Sequence, residues 1–216
     1  MAEFLATGLF VFIGAGSVVT VTGVLQRNPL NDPAALAAIA LAHGLAIILL
    51  VTATAKISGG HLNPAVTFAA VISGRQKLST GLLYISAQLL GAVFGALLIK
   101  GVFLDSVEGN LGAHAVNLAA LPSPEMGLVV EIILTFILVF VVFAAAMDPR
   151  GLAKLAPVAI GLAVLVDHLI GVPLTGASMN PARSFGPASI ANFWNDHWIY
   201  WVGPLIGAGL AGLSYT

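Results

Sequence analysis

The sequence predicts an all-α membrane protein of six transmembrane helices and two re-entrant half-helices, its halves forming an inverted repeat of three spans each. Three observations predict it. The 216 residues are 59% hydrophobic and 8% charged, with a mean hydropathy of +1.03, whereas a soluble domain carries roughly a quarter charged residues. Six nearly uncharged runs are each long enough to cross a hydrocarbon core of about 30 Å, which takes about 20 helical residues. An Asn-Pro-Ala tripeptide occurs once in each half. The formal net charge of -1 leaves no basic surface for nucleic acid. The absence of cysteine excludes disulfides, thiolate metal sites, thiol catalysis and mercurial block. With no collagen period among them, the 24 glycines point to close helix packing.

The first run, residues 2–25, carries only Glu3; its early acid, missing basic leader and excess length indicate a retained span rather than a cleaved signal. The second, 34–55, has no formal charge. An apolar piece at 63–72 is too short to cross. It follows the Gly-rich Ser58-Gly59-Gly60-His61 and opens with Asn63-Pro64, a capping side chain with proline at the first helical position. The third run, 78–99, is again uncharged, and a loop at 102–124 leads to the second half. There the runs are 126–147 with Glu131, 155–173 with Asp167, and 197–216. The second short piece, 180–190, follows Thr175-Gly176-Ala177-Ser178 and opens with Asn180-Pro181. Because the last apolar stretch runs to the final residue, a tail with regulatory sites is expected beyond it.

Six spans put both termini on one side. Lys56, Arg75, Lys77, Arg150 and Lys154 share that side and, Arg183 apart, only Arg27 and Lys100 oppose them, so the termini are expected to be cytoplasmic or topologically equivalent. Non-helical backbone at membrane depth is tolerated only where it is buried in protein or lines a watery cavity. The two short pieces therefore imply a pore.

The chain reads as one domain with internal repeats at about 1–101 and 125–216. Glu3-Phe4-Leu5-Ala6-Thr7 parallels Glu131-Ile132-Ile133-Leu134-Thr135; Ala42, Gly44, Leu45 and Ala46 recur as Ala159, Gly161, Leu162 and Ala163. Asn63-Pro64-Ala65 recurs as Asn180-Pro181-Ala182 at the same offset of 117. Three spans per half invert the second repeat, so the half-helices enter from opposite faces and their amino ends meet near the midplane. Two positive dipole ends and two Asn amides then face one lumen, which repels cations and offers donors to a small neutral molecule. Carbonyls of Gly59, Gly60, His61, Gly176, Ser178 and Met179 are the candidate acceptors along it. Glu3 and Glu131 are expected to accept hydrogen bonds from the orphan amides of the two loops.

The boxes Ser-Gly-Gly-His-Leu-Asn-Pro-Ala-Val and Gly-Ala-Ser-Met-Asn-Pro-Ala-Arg-Ser-Phe-Gly, in register with six spans, resemble the aquaporin (major intrinsic protein) family over essentially the whole chain. The resemblance implies a passive water channel that is not an enzyme, needs no metal or cofactor, and forms homotetramers with one pore each. It implies a constriction of His43, His168, Ala177 and Arg183 on the noncytoplasmic side of the boxes. Arg183 is also the only base in a segment expected at membrane depth, which by itself marks a functional residue. Ser184, Ala188, Tyr200 and Trp201 match water-selective members; glycerol facilitators typically have an acid in place of Ser184. His114, 66 residues before Asn180, resembles a loop histidine of ammonia-permeable plant tonoplast intrinsic proteins, where it joins the filter and holds the arginine aside. Those members have isoleucine where this chain has His168. Ammonia or another small neutral solute is thus the alternative second permeant, and His114 is either a filter residue or an exposed loop histidine. The mixture of features also resembles hybrid intrinsic proteins, which leaves the specific membrane open.

Asp167 has two readings: a carboxylate beside His168 that favours the imidazolium form and makes permeation pH-dependent, or a partner for a loop group near the surface. Small residues read as lying on outer helix faces, including Gly91, Gly95, Gly207, Gly209 and Gly212, are expected to allow close contacts there. Two other classes remain to be weighed. An ion-coupled transporter also uses inverted repeats and broken helices, but few membrane acids support it, and no nucleophile, base and orienting group recur for an intramembrane hydrolase.

Overall fold

The structure, a computed structural model, describes residues 1–215; Thr216, the last residue of the sixth predicted run, lies outside the described residues. Every regular element among the described residues is helical. In order these are α1 (Ala2–Val19), α2 (Pro33–Thr54), α3 (Pro64–Ile72), α4 (Leu78–Val102), α5 (Asp105–Glu108), α6 (Pro124–Val142), α7 (Ala156–Thr175), α8 (Pro181–Ala191) and α9 (Ile199–Ser214). Helices α1, α2, α4, α6, α7 and α9 are the six predicted spans, and α3 and α8 are the half-helices. The predicted starts follow local capping: the Asp32 carboxylate accepts from the amides of Ala34 (3.0 Å) and Ala35 (3.3 Å), with Pro33 at the first position.

Two features differ from the sequence expectation. The spans α1 and α6 each end in a π-helical turn, Thr20–Val24 and Phe143–Met147, which hydropathy does not register. The last span has 16 residues and is shorter than the other five. The start of its apolar run is spent on tight turns, with His197 N donating to Trp194 O (3.2 Å) and Ile199 N to Asp196 O (3.0 Å).

The inverted repeat is visible in how the helices pair. Helix α1 packs along α4, α6 packs along α9 in the same way, and α2 crosses α7, its own counterpart. At that crossing Gly44 and Gly161, equivalent in the two halves, lie backbone to backbone. A Cβ on Gly44 would stand 2.7 Å from the Gly161 carbonyl oxygen, and one on Gly161 would stand 2.5 Å from the Gly44 oxygen. Because the obstacle is backbone, it cannot swing aside. Gly44→Val is accordingly expected to destabilise the protein by about 3 kcal/mol, read as a lowered Tm of the purified protein in detergent; an unchanged Tm would show that α2 and α7 do not cross here.

The other small residues are corrected by the same contacts. Gly91, Gly95 and Gly207 are buried inside the protomer, facing the carbonyl oxygens of Phe4, Gly8 and Ile132. Gly209 and Gly212 face Phe68 and Ala69 of α3. Small residues permit close approach on whichever face is crowded, and here that face is the helix crossing within the chain rather than the outer surface.

Candidate functional site

The two half-helices meet tip to tip, and Asn63 and Asn180 make the junction. Each side-chain oxygen caps its own helix: Asn63 Oδ1 accepts from Ala65 N (2.8 Å), and Asn180 Oδ1 from Ala182 N (3.0 Å) and Arg183 N (3.2 Å). Each side-chain nitrogen crosses to the opposite loop. Asn63 Nδ2 donates to Met179 O (2.8 Å) and Asn180 Nδ2 to Leu62 O (2.9 Å). The accepting residues are both left-handed, Leu62 at φ 54° and Met179 at φ 52°. Side chains disfavour that region, so the surroundings must impose it.

The imposing groups are the two buried acids. Glu3 accepts from Ser58 Oγ (2.6 Å), His61 N (3.1 Å), Leu62 N (2.7 Å) and Gln88 Nε2 (2.8 Å). Glu131 accepts from Thr175 Oγ1 (2.7 Å), Ser178 N (2.9 Å) and Met179 N (2.8 Å). Both carboxylates thus satisfy loop amides that have no helical partner. The pattern repeats further out: Tyr84 OH donates to Ser58 O and Tyr200 OH to Thr175 O, each at 2.9 Å. His61 meets Thr67 as Ser178 meets Ser184. The offset of 117 residues relates Ser58 to Thr175, so that repeat could have identified these hydroxyls.

A cavity of about 570 Å³ leads inward from the face bearing Arg75 and Met147. Apolar side chains such as Ile47, Val66, Leu138 and Ile160 form much of its wall, while Gly59, Gly60, His61, Asn63, Ser178, Met179 and Asn180 supply a polar stripe. Gly176 ends α7 in a left-handed cap with the His114 ring against it.

His168 also lines the cavity. The His168 and His43 rings lie 4.1 Å apart. Each Nδ1 is tied to the carbonyl four residues earlier, His43 to Ile39 (2.9 Å) and His168 to Val164 (2.8 Å). With Nδ1 donating, each Nε2 is an acceptor. His43 Nε2 receives Arg183 Nε at 3.4 Å, whereas His168 Nε2 has no partner among the described residues. Arg183 is 1% exposed, donates through Nη1 to Gly112 O (2.8 Å), and has no carboxylate partner among the described residues. Ala177 is buried at φ 58° with its methyl over Gly171 of α7.

His114 is buried rather than an exposed loop residue, and it turns to Ser184 (Nδ1 to Oγ, 2.8 Å) with its ring 5.2 Å from Tyr200. The long loop's grip on Arg183 comes instead from the Gly112 carbonyl, a backbone group that no sequence motif announces. Asp167 is not a surface partner. It is fully buried with neither oxygen partnered among the described residues, and His168 bonds Val164 rather than this carboxyl. At the opposite end, Asp148 accepts from Arg150 Nη2 (2.7 Å) and Tyr215 OH (2.9 Å). The Arg150 contacts hold its carboxyl below the ordinary range.

No group of three or more His, Cys, Asp or Glu side chains suited to a metal occurs among the described residues. The sequence pattern of the family described as "Major intrinsic protein" matches residues 1–215. "Probable aquaporin TIP2-1" of Oryza sativa subsp. japonica is 50% identical, the alignment covering 100% of this chain and 85% of that protein. "Aquaporin TIP2-1" of Arabidopsis thaliana is 47% identical over 100% of this chain and 84% of its own. Among solved structures, the aquaglyceroporin from Plasmodium falciparum superposes with a TM-score of 0.85 at 25% identity, covering 99% of this chain and 93% of that one.

Proposed function

The chain belongs to the major intrinsic protein family, whose members are multi-pass membrane channels and not enzymes, and on that premise we propose that it is a passive water channel. The reciprocal asparagine pair carries this reading. An Asn amide has two N–H donors, and one on each residue is spent on the opposite loop. The remaining donor of each is free for a water oxygen held between the tips. A water accepting from both turns its hydrogens away from the junction, toward the two mouths. Hydrogen-bond relay through the file is then broken at that molecule, while the amino ends of α3 and α8 oppose hydronium and metal cations.

The filter reading assigns His43, His168, Ala177 and Arg183 to the narrow end of the lumen. His168 Nε2 is the acceptor offered to the permeant, Arg183 the donor and fixed positive charge, and His43 the neutral acceptor that orients it. His114 is assigned to holding Ser184 and Ser178, next to Asn180, rather than to holding Arg183 aside. Assembly as a homotetramer, a pore in each subunit, belongs to the same reading.

The test is osmotic swelling of proteoliposomes. A sucrose gradient is expected to drive fast, unsaturating water flux well above that of empty vesicles. An ammonium gradient across the same vesicles reads ammonia as a second permeant. Flux that saturates, or that needs an ion gradient, would assign the chain to coupled transport instead.

A further inference from the structure

Asp167 lies in mid-span on α7, wholly buried, and neither carboxyl oxygen has a hydrogen-bond partner among the described residues. Glu131, the nearest acid on α6 along that wall, is satisfied by three donors. On α7, Val164 and His168 line the lumen, whereas Val166 and Ile170 are exposed on the outer surface. At about 100° per residue, Asp167 falls between these faces. One turn later on its flank, Gly171 meets Leu134 of α6 and Ala177 of the loop. The carboxyl group is therefore in the channel wall, one residue's width from the lumen.

The titratable and charged groups on the neighbouring elements are few. Helix α2 supplies His43, α6 supplies Glu131 with Glu125 at its outer end, α8 supplies Arg183, and the long loop supplies His114. His168 is adjacent on α7 itself. The π-helical turn Phe143–Met147 has no titratable side chain, and Lys154 is thirteen residues away, roughly 20 Å along the helix. None of them donates to Asp167. Arg183, the one strong cation, is directed to Gly112 and His43.

A carboxylate without donors in a hydrocarbon-level wall is the costly state of this group, and the neutral acid needs no counter-charge. We propose that Asp167 is carried as the neutral acid and that its neutrality is a determinant of cation exclusion. This inference rests on the channel reading above. With Asp167 neutral, the positive charge of Arg183 stands unopposed at the constriction. Ionised, Asp167 places a negative charge in the same low-dielectric wall, partly cancels that field and lowers the barrier to cations. An acid loses its proton as pH rises, so exclusion weakens toward alkaline pH. The neutral acid also gives His168 no reason to become imidazolium, which replaces the pH effect expected from sequence.

The experiment measures potassium leak and osmotic water flux in the same proteoliposomes at pH 6, 7.5 and 9, for the wild-type protein and for Asp167→Asn. The wild type is expected to hold potassium as tightly as empty vesicles at pH 6 and to leak several-fold faster at pH 9. Asp167→Asn, of the same shape but unable to ionise, is expected to stay at background throughout with water flux within about twofold of wild type. A leak that rises equally in both proteins, or in neither, overturns the proposal. Infrared spectra of the wild type at neutral pH provide a reading that needs no variant to fold. The carbonyl stretch of an un-ionised carboxylic acid should be present; its absence overturns the proposal while leaving the channel reading intact. Missing water flux with that band present would instead overturn the channel reading.

Discussion

Glu131→Ala is expected to unfold the second re-entrant loop and with it much of the protein. The substitution strips the acceptor from the Ser178 and Met179 amides and the Thr175 hydroxyl, all buried. Leaving a buried donor unsatisfied costs about 1–3 kcal/mol, so three of them sum to roughly 3–9 kcal/mol, a large part of a typical folding free energy of about 5–15 kcal/mol. The same loop holds Met179 in its left-handed conformation, so Asn63 loses its acceptor as well. Thermal unfolding in detergent should show a Tm lowered by many degrees and water flux near that of empty vesicles. Glu131→Gln keeps one oxygen acceptor and should fall between. An alanine variant with wild-type Tm and flux would mean that Glu131 does not hold the loop.

Arg183→Ala is expected to leave the protein folded and water-permeable while destroying its discrimination. Arg183 fills the space beside His43 and donates to the Gly112 carbonyl at 2.8 Å and to His43 Nε2 at 3.4 Å, so its loss strands two acceptors and no charge. What disappears is a long side chain and a unit positive charge from the proposed constriction. At an effective dielectric of about 20, a charge 4 Å from a passing cation contributes about 4 kcal/mol, an upper limit equivalent to roughly a thousand-fold in rate. Water flux should stay within about threefold of wild type, while glycerol and urea uptake and potassium leak each rise at least about tenfold. Exclusion of all three solutes by the variant would remove Arg183 from the filter.

The spans and half-helices were legible because hydropathy and run length respond to the bilayer alone. Asn63 and Asn180 are related by an offset of 117 and Glu3 and Glu131 by one of 128, the difference lying in the chain between them, and both relations reappear as matched hydrogen bonds. Other features left no such trace. The Gly112 carbonyl acts through backbone, which has no residue signature. Gly91 and Gly207 would be small on an outer face or an inner crossing alike, so sequence could not say which. His114 stood at a suggestive spacing, yet its partner depends on how the loop folds back onto Ser184. Asp167 was conspicuous as an acid in a span, but its lack of a partner among the described residues is a property of the packed wall.

The temperature dependence of osmotic water flux bears most directly on whether two half-helix tips share one open conduit. Stopped-flow shrinkage of proteoliposomes between about 10 and 35 °C should show an activation energy as low as that of bulk water self-diffusion, because water passing a preformed file crosses no conformational barrier. An activation energy as steep as that of a protein-free bilayer would contradict the existence of the conduit.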